Sequence, residues 1–258
     1  MTDYLTIDHL LEERIYIDNI PAIRFNLKSN KDKIPTIILY HGWSSCKESQ
    51  RLRGFILANL GFQVIIPDAI YHGERERIED YEVENAVKYF WPTILNNMEE
   101  ADKIIDYCID NLNTDPHRIG LIGHSMGGFT AAGIFTHNSN IRTAVILNGS
   151  LYWGYFNSIF KEQFKLDLSN HEVLKAEEKI NFLDPMNNID KLLDRPILLL
   201  HGEKDSLVDI SGQRIFYEKV GPKYSDKSLL QLIEYSNLDH FVTTNMMDEA
   251  AKWFRKYL

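Results

Sequence analysis

Along this chain, short continuous apolar runs alternate with stretches whose apolar residues recur every three or four positions. The runs are "TIILYHG", "QVIIPDA", "RIGLIGHS", "TAVILNGS", "PILLLHGEKD" and "SLLQLIEYSN". A run without polar alternation predicts a strand covered on both faces, as in a parallel sheet between helices. Ahead of them, "RIYID" and "AIRFNL" flank Asn19-Ile20-Pro21 and predict an antiparallel hairpin. The hairpin and the runs together predict an eight-stranded, mostly parallel sheet. Helical spacing falls between the runs, over residues 47–60, 97–112, 126–136, 212–220 and 243–257. It is clearest in the second, where Ala101, Ile104, Ile105, Cys108 and Ile109 share one face. This alternation predicts a doubly wound α/β domain with right-handed crossovers. Two connections exceed a plain crossover: residues 71–96, and residues 151–193, which read as an inserted helical lid within one domain spanning 1–258.

Composition narrows the function classes. The chain has 258 residues, 44% hydrophobic and 25% charged, ordinary values for a water-soluble globular protein. A net charge of -9 argues against nucleic acid, whose phosphates need a basic surface. No apolar run approaches the roughly 20 residues of a membrane helix, so no membrane partner is expected. The N-terminal segment mixes acids among its apolar residues and does not read as a signal peptide. The two cysteines, Cys46 and Cys108, lack metal-ligand spacing and read as reduced thiols. A cytoplasmic location follows as the expectation, and a homodimer is left open.

The chemistry concentrates in "RIGLIGHSMGGFTAAG". An apolar strand stops at Ser125, which stands between Gly123 and Gly127, and a small-residue helix follows. Such a tight strand-to-helix turn forces its central residue into a strained conformation and needs small neighbours two residues away on either side. It lifts the serine oxygen clear of the sheet and aims helix-start N–H groups at any oxyanion formed there. A serine needs a base held by an acid. Asp205 lies in the loop after "PILLLHGEK", at the same sheet edge, with Glu203 as the alternative acid. His240 follows the last strand. His201 is a poor base, since it closes a strand just before the acid loop and suits a turn-packing role. Asp239 adjoins His240, and adjacent side chains rarely face each other. After the "TIILY" strand, Gly42 lets the backbone turn inward, so the Trp43 amide can join that of Met126 as an oxyanion hole.

The segments "YHGWSS", "PDAIYHGER", "GHSMGG", "HGEKDSLV" and "LDHF" resemble the α/β-hydrolases. In particular, the chain is similar to bacterial serine esterases related to the dienelactone hydrolases and the prolyl-oligopeptidase catalytic domains. The resemblance implies the α/β-hydrolase fold, a Ser125–His240–Asp205 triad and hydrolysis of a carboxylic ester or related acyl bond without a cofactor. Many relatives carry a Gly-His-Gly in the second of these segments. Tyr71 replaces its first glycine here and is expected to protrude into the site. Dienelactone hydrolases proper use a cysteine where this chain has Ser125.

His41, His72, His124 and His201 lack a spaced ligand set, so no metal is expected. In "LYWGYFNSIFKEQF", aromatics crowd one short stretch. Trp153 and Phe156 are expected to wall an acyl pocket, with "VKYFWPTIL" opposite. The reading is a serine carboxylesterase for small to medium acyl esters, with a small-molecule ester as its substrate. The alternatives are a small peptidase or amidase, a thioesterase, and a ligand-binding protein without activity.

Overall fold

In a computed structural model, residues 8–28, 33–165 and 171–258 are described, without the side chains of 171 and 172. The predicted hairpin forms from β1 (Leu10–Ile17) and β2 (Ile20–Leu27), paired antiparallel from Ile17↔Ile20 to Leu10↔Leu27. The apolar runs become β3 (Ile34–Tyr40), β4 (Gln63–Pro67), β5 (Thr114–His124), β6 (Thr143–Leu147), β7 (Ile197–Gly202) and β8 (Leu230–Tyr235). They form one eight-stranded sheet in the order β1-β2-β4-β3-β5-β6-β7-β8. β2 runs antiparallel to β4, and every pairing from β4 to β8 is parallel. The chain is thus an α/β-hydrolase-type doubly wound sheet.

Successive residues of each inner strand feed opposite layers, which is why the runs show no polar alternation. On one face, Ile38, Leu121, Ile146 and Leu199 pack under α2 (Val83–Asn111), α3 (Met126–His137) and α6 (Ser211–Val220). On the other, Ile37, Ile122, Val145 and Leu200 meet α1 (Arg51–Ala58) and α7 (Thr244–Tyr257). The hydroxyl of Thr243 accepts the Met246 N–H and so caps α7. No helix among the described residues is long and apolar enough to cross a membrane.

One helix differs from its expected span. The helix expected over 97–112 begins 14 residues earlier, at Val83, and runs through Pro92. Proline removes one backbone donor and crowds the carbonyl four residues back. Here Pro92 faces solvent, and the Thr93 hydroxyl donates to the Tyr89 carbonyl at 2.7 Å. Burial of Phe90, Trp91, Ile94 and Leu95 on either side outweighs the local penalty. The expected opposing wall is therefore helical.

The insertion between β6 and β7 carries α4 (Trp153–Gln163) and α5 (His171–Leu183). The fully buried Asp184 carboxylate ties its two ends together. It accepts N–H groups from Trp153 (3.1 Å), Gly154 (2.7 Å) and Met186 (2.9 Å). Trp153 is 0% exposed and lies against Trp91 and Gly133. A Cβ on Gly133 would come within 2.7 Å of the indole. Trp153 thus anchors α4 on α3, and the expectation that it walls the pocket is corrected. Trp153→Ala should lower unfolding free energy by about 3–5 kcal/mol, as expected for emptying a packed core site. Urea unfolding checks this, and a loss under about 1 kcal/mol would show that the ring is not a core anchor.

Candidate active site

Ser125 occupies the β5–α3 turn with φ 56° and ψ -124°, a conformation L-residues rarely adopt. Neighbouring backbone leaves no room for side chains on either side. A Cβ on Gly123 would stand 1.9 Å from the Gly127 carbonyl oxygen, and one on Gly127 would stand 2.1 Å from that of Tyr40. The strain is held by the Ser125 N–H donating to the Leu147 carbonyl at 2.9 Å. The Gly128 and Phe129 N–H groups donate to the Ser125 carbonyl at 2.7 and 3.1 Å. The sequence requirement and the geometry coincide at this turn.

The close approach of α3 to the end of β3 brings the following loop to the serine. A Cβ on Gly42 would lie 3.3 Å from the Ser125 Cβ. Neither the Trp43 nor the Met126 N–H donates to any described residue. Beneath the Trp43 loop, the Ala69 N–H donates to His41 Nε2 at 3.0 Å, which leaves His41 Nδ1 to donate to the Gly42 carbonyl at 2.9 Å. Burial pushes the His41 imidazole down, so it stays neutral. His72 packs edge-on to Trp43, with ring centroids 5.0 Å apart. Burial pushes it down to about 4.

The "PDAIYHGER" loop is held by Asp68, which is 1% exposed. Its carboxylate takes the Lys47 N–H at 2.8 Å, Lys47 Nζ at 2.6 Å and the Glu74 N–H at 3.0 Å. Burial alone would lower the Lys47 ammonium, but its pairs with Asp68 and Glu74 hold it well above its usual range. Tyr71 does not reach the pocket as expected. It is not among the residues lining the serine cavity: its ring packs tilted against Tyr89 at 4.6 Å, and its carbonyl accepts the Tyr81 hydroxyl at 2.8 Å.

At the other side of the sheet edge, His240 Nδ1 donates to Asp205 Oδ2 at 2.7 Å. The proton on Nδ1 leaves Nε2 as the free base. Asp205 Oδ1 accepts the Leu207 and Val208 N–H groups at 3.0 and 2.8 Å. His201, fully buried, places Nε2 within 2.8 Å of the Val208 carbonyl and 3.2 Å of Asp205 Oδ2. Both neighbours accept, so Nε2 carries the proton. Burial pushes the Asp205 carboxyl up, but hydrogen bonds from His201 and His240 outweigh it and hold the group well below the usual carboxylate range. Glu203 faces elsewhere and accepts the Asn237 N–H at 3.1 Å.

Three residues contribute more than their sequence positions suggested. His201 does pack the turn, and it also donates toward the acid. Asp239 accepts both the Ser206 and His240 N–H groups at 2.8 Å, which clamps the acid loop to the base loop. Asn148, fully buried, accepts the Gly202 N–H and donates to the Phe241 carbonyl, each at 3.0 Å. The Asn-Gly pair closing β6 was the available signal, since asparagine tolerates the positive φ of 45° found there. His124 packs on His240 with ring centroids 4.9 Å apart, which sets the base beside the serine's own turn. Burial pushes His124 down to about 3. Among the described residues, Ser125 Oγ makes no hydrogen bond, a contact such sites often tighten only around substrate. No group of three or more His, Cys, Asp or Glu side chains among the described residues could hold a metal ion.

Ser125 opens into a cavity of about 230 Å³ lined by Trp43, Phe90, Phe156, Phe160 and Leu207 among others. Phe156 is thus where the aromatic stretch was expected to place it. The arrangement offers a half-buried serine hydroxyl at a cavity, an imidazole oriented by a buried carboxylate, two backbone N–H groups without a partner among the described residues, and an apolar recess. That set suits attack on an acyl carbon.

The model of the prolyl oligopeptidase family matches residues 49–258. YitV of Bacillus subtilis (strain 168) is 31% identical over 249 residues, covering 94% of this chain and 97% of that protein. Esterase YjfP of Escherichia coli (strain K12) is 28% identical over 255 residues, with 96% and 99% covered. The crystal structure of TT1662 from Thermus thermophilus superposes with a TM-score of 0.73 at 20% identity, covering 96% of this chain and 97% of that one.

The Asp205 hydrogen bonds predict a pH dependence of stability. Its folded pKa lies below the ordinary 3.8, so its contribution is complete above the unfolded value and is lost as pH falls through the folded one. The stability advantage of wild type over Asp205→Asn should be constant above about pH 5 and shrink toward about pH 2. Urea unfolding across that range measures it, and an advantage that grows on acidification would contradict the assignment.

Proposed function

The chain belongs to the prolyl oligopeptidase family, and from that membership we propose that it is a serine carboxylesterase acting on small to medium acyl esters. In this reading His240 Nε2 takes the Ser125 proton as the serine oxygen attacks the ester carbonyl. Asp205 holds the imidazole in the correct tautomer and stabilises the imidazolium. The Trp43 and Met126 N–H groups receive the developing oxyanion. The intermediate collapses, the alcohol leaves with the proton from His240, and water repeats the sequence on the acyl-enzyme to release the acid.

The observation that carries this reading is the 2.7 Å contact of His240 with a doubly buttressed Asp205, at the edge where Ser125 is held in its strained turn. The name of the Escherichia coli relative, an esterase, supports the same class. The modest volume and apolar lining of the recess support short acyl groups over long ones.

Ser125→Ala should lower kcat for p-nitrophenyl acetate by roughly 10⁴–10⁶ with the fold retained, and should abolish labelling by a fluorophosphonate. Near-normal turnover would overturn the reading. Asp205→Asn should cost about 10⁴ in kcat through the wrong tautomer, while Glu203→Gln should change it less than about threefold. The reverse pattern would move the acid to Glu203. Turnover of aminoacyl p-nitroanilides above that of the esters would make the protein a peptidase instead.

A further inference from the structure

Behind the serine pocket lies a second and larger cavity, of about 560 Å³, between α2, α4 and α5. Its wall is mostly apolar, with Val87, Trp91, Val173, Ala176 and Ile180, and Lys88 and an ion-paired Lys161–Glu177 add charge. The two cavities interleave along the same helices. On α2, Ala86 and Phe90 face the serine pocket while Val87 and Trp91 face the rear cavity. On α4, Phe156 and Ile159 face the pocket while Asn157 and Lys161 face the rear. Spacings of three and four residues keep each set on one strip of its helix. Among the described residues, Phe160 alone belongs to both walls.

We propose that Phe160 is the partition that sets acyl-chain length, closing the serine pocket to long aliphatic acyl chains and holding them out of the cavity behind it. The proposal rests on the esterase reading above. Phe160 is 7% exposed and packs against three other rings: Phe90 stacked at 5.8 Å, Phe156 at 5.8 Å and Phe164 edge-on at 4.8 Å. Its side chain carries no polar atom, so removing the ring strands no donor or acceptor and joins two apolar spaces. While room remains, each added methylene contributes burial equivalent to about fourfold in binding. With the ring in place that gain stops where the chain meets it. Without the ring, the gain continues into the rear cavity.

The test is the ratio of kcat/KM for p-nitrophenyl decanoate to that for p-nitrophenyl acetate. In wild type the ratio should be low, with the optimum of the series near butyrate. In Phe160→Ala the ratio should rise by about tenfold or more, as expected for several methylenes gaining a place. Adding Ala176→Phe, which refills the rear cavity alone, should return it toward the wild-type value. If Phe160→Ala fails to fold by circular dichroism, Phe160→Leu decides, with a smaller rise in the same direction. An unchanged ratio, or a raised one that the second substitution leaves in place, would overturn the partition. So would a wild-type preference for decanoate. In those cases acetate hydrolysis that still requires Ser125 leaves the esterase reading intact. Absence of hydrolysis of every ester by wild type would overturn both.

Discussion

The site depends on one steric constraint, the direct backbone contact of α3 with the ends of β3 and β5. It exists only because positions 123 and 127 lack side chains, since a single Cβ at either would overlap a carbonyl oxygen. That contact does three things together. It holds Ser125 in its strained turn, leaves the Met126 N–H without a partner among the described residues, and draws the Gly42-Trp43 loop against the serine. Strain of this kind costs on the order of 1–3 kcal/mol and persists only where surroundings enforce it. Here the two large apolar layers on either face of the sheet enforce it.

The second half of the site is an exercise in polar satisfaction. Asp205 is buried, yet its two oxygens accept two backbone N–H groups and face two histidines, which makes burial of its charge tolerable. The same logic recurs under the Trp43 loop, where Asp68 is enclosed by Lys47 and two backbone N–H groups. Each buried charge fixes a loop that carries a functional group. A buried ion pair adds little net stability, but breaking one partner is costly, so such pairs specify geometry well.

The strands and the serine turn were legible because each rests on a local rule. Apolar runs report double-sided burial, and glycines two residues from a serine report backbone crowding. What failed to show depends on tertiary phase. Nothing local says whether Trp153 or Phe160 points at the serine, because the rotation of α4 is fixed by the Trp153–Gly133 contact. The first half of α2 was hidden too, since burial on both sides of Pro92 carries the helix through it. The contributions of His201, Asn148 and Asp239 were hidden for the same reason, since each acts on loops that meet only in the folded sheet. Tyr71 was misplaced because its partner, Tyr89, lies on the stretch of α2 that periodicity did not reveal.

Asp184 gives the insertion a mechanical character. Its carboxylate gathers the start of α4 and the turn after α5 at a single point, so the helical hairpin is pinned there. The middle and the far half of α4 are held as well, since the Trp91 indole N–H donates to Asn157 Oδ1 at 2.9 Å and Lys161 pairs with Glu177 on α5. Three polar ties along one short helix set both its rotation and its depth, so the rings that line the serine cavity are placed by hydrogen bonds and charge as much as by apolar contact.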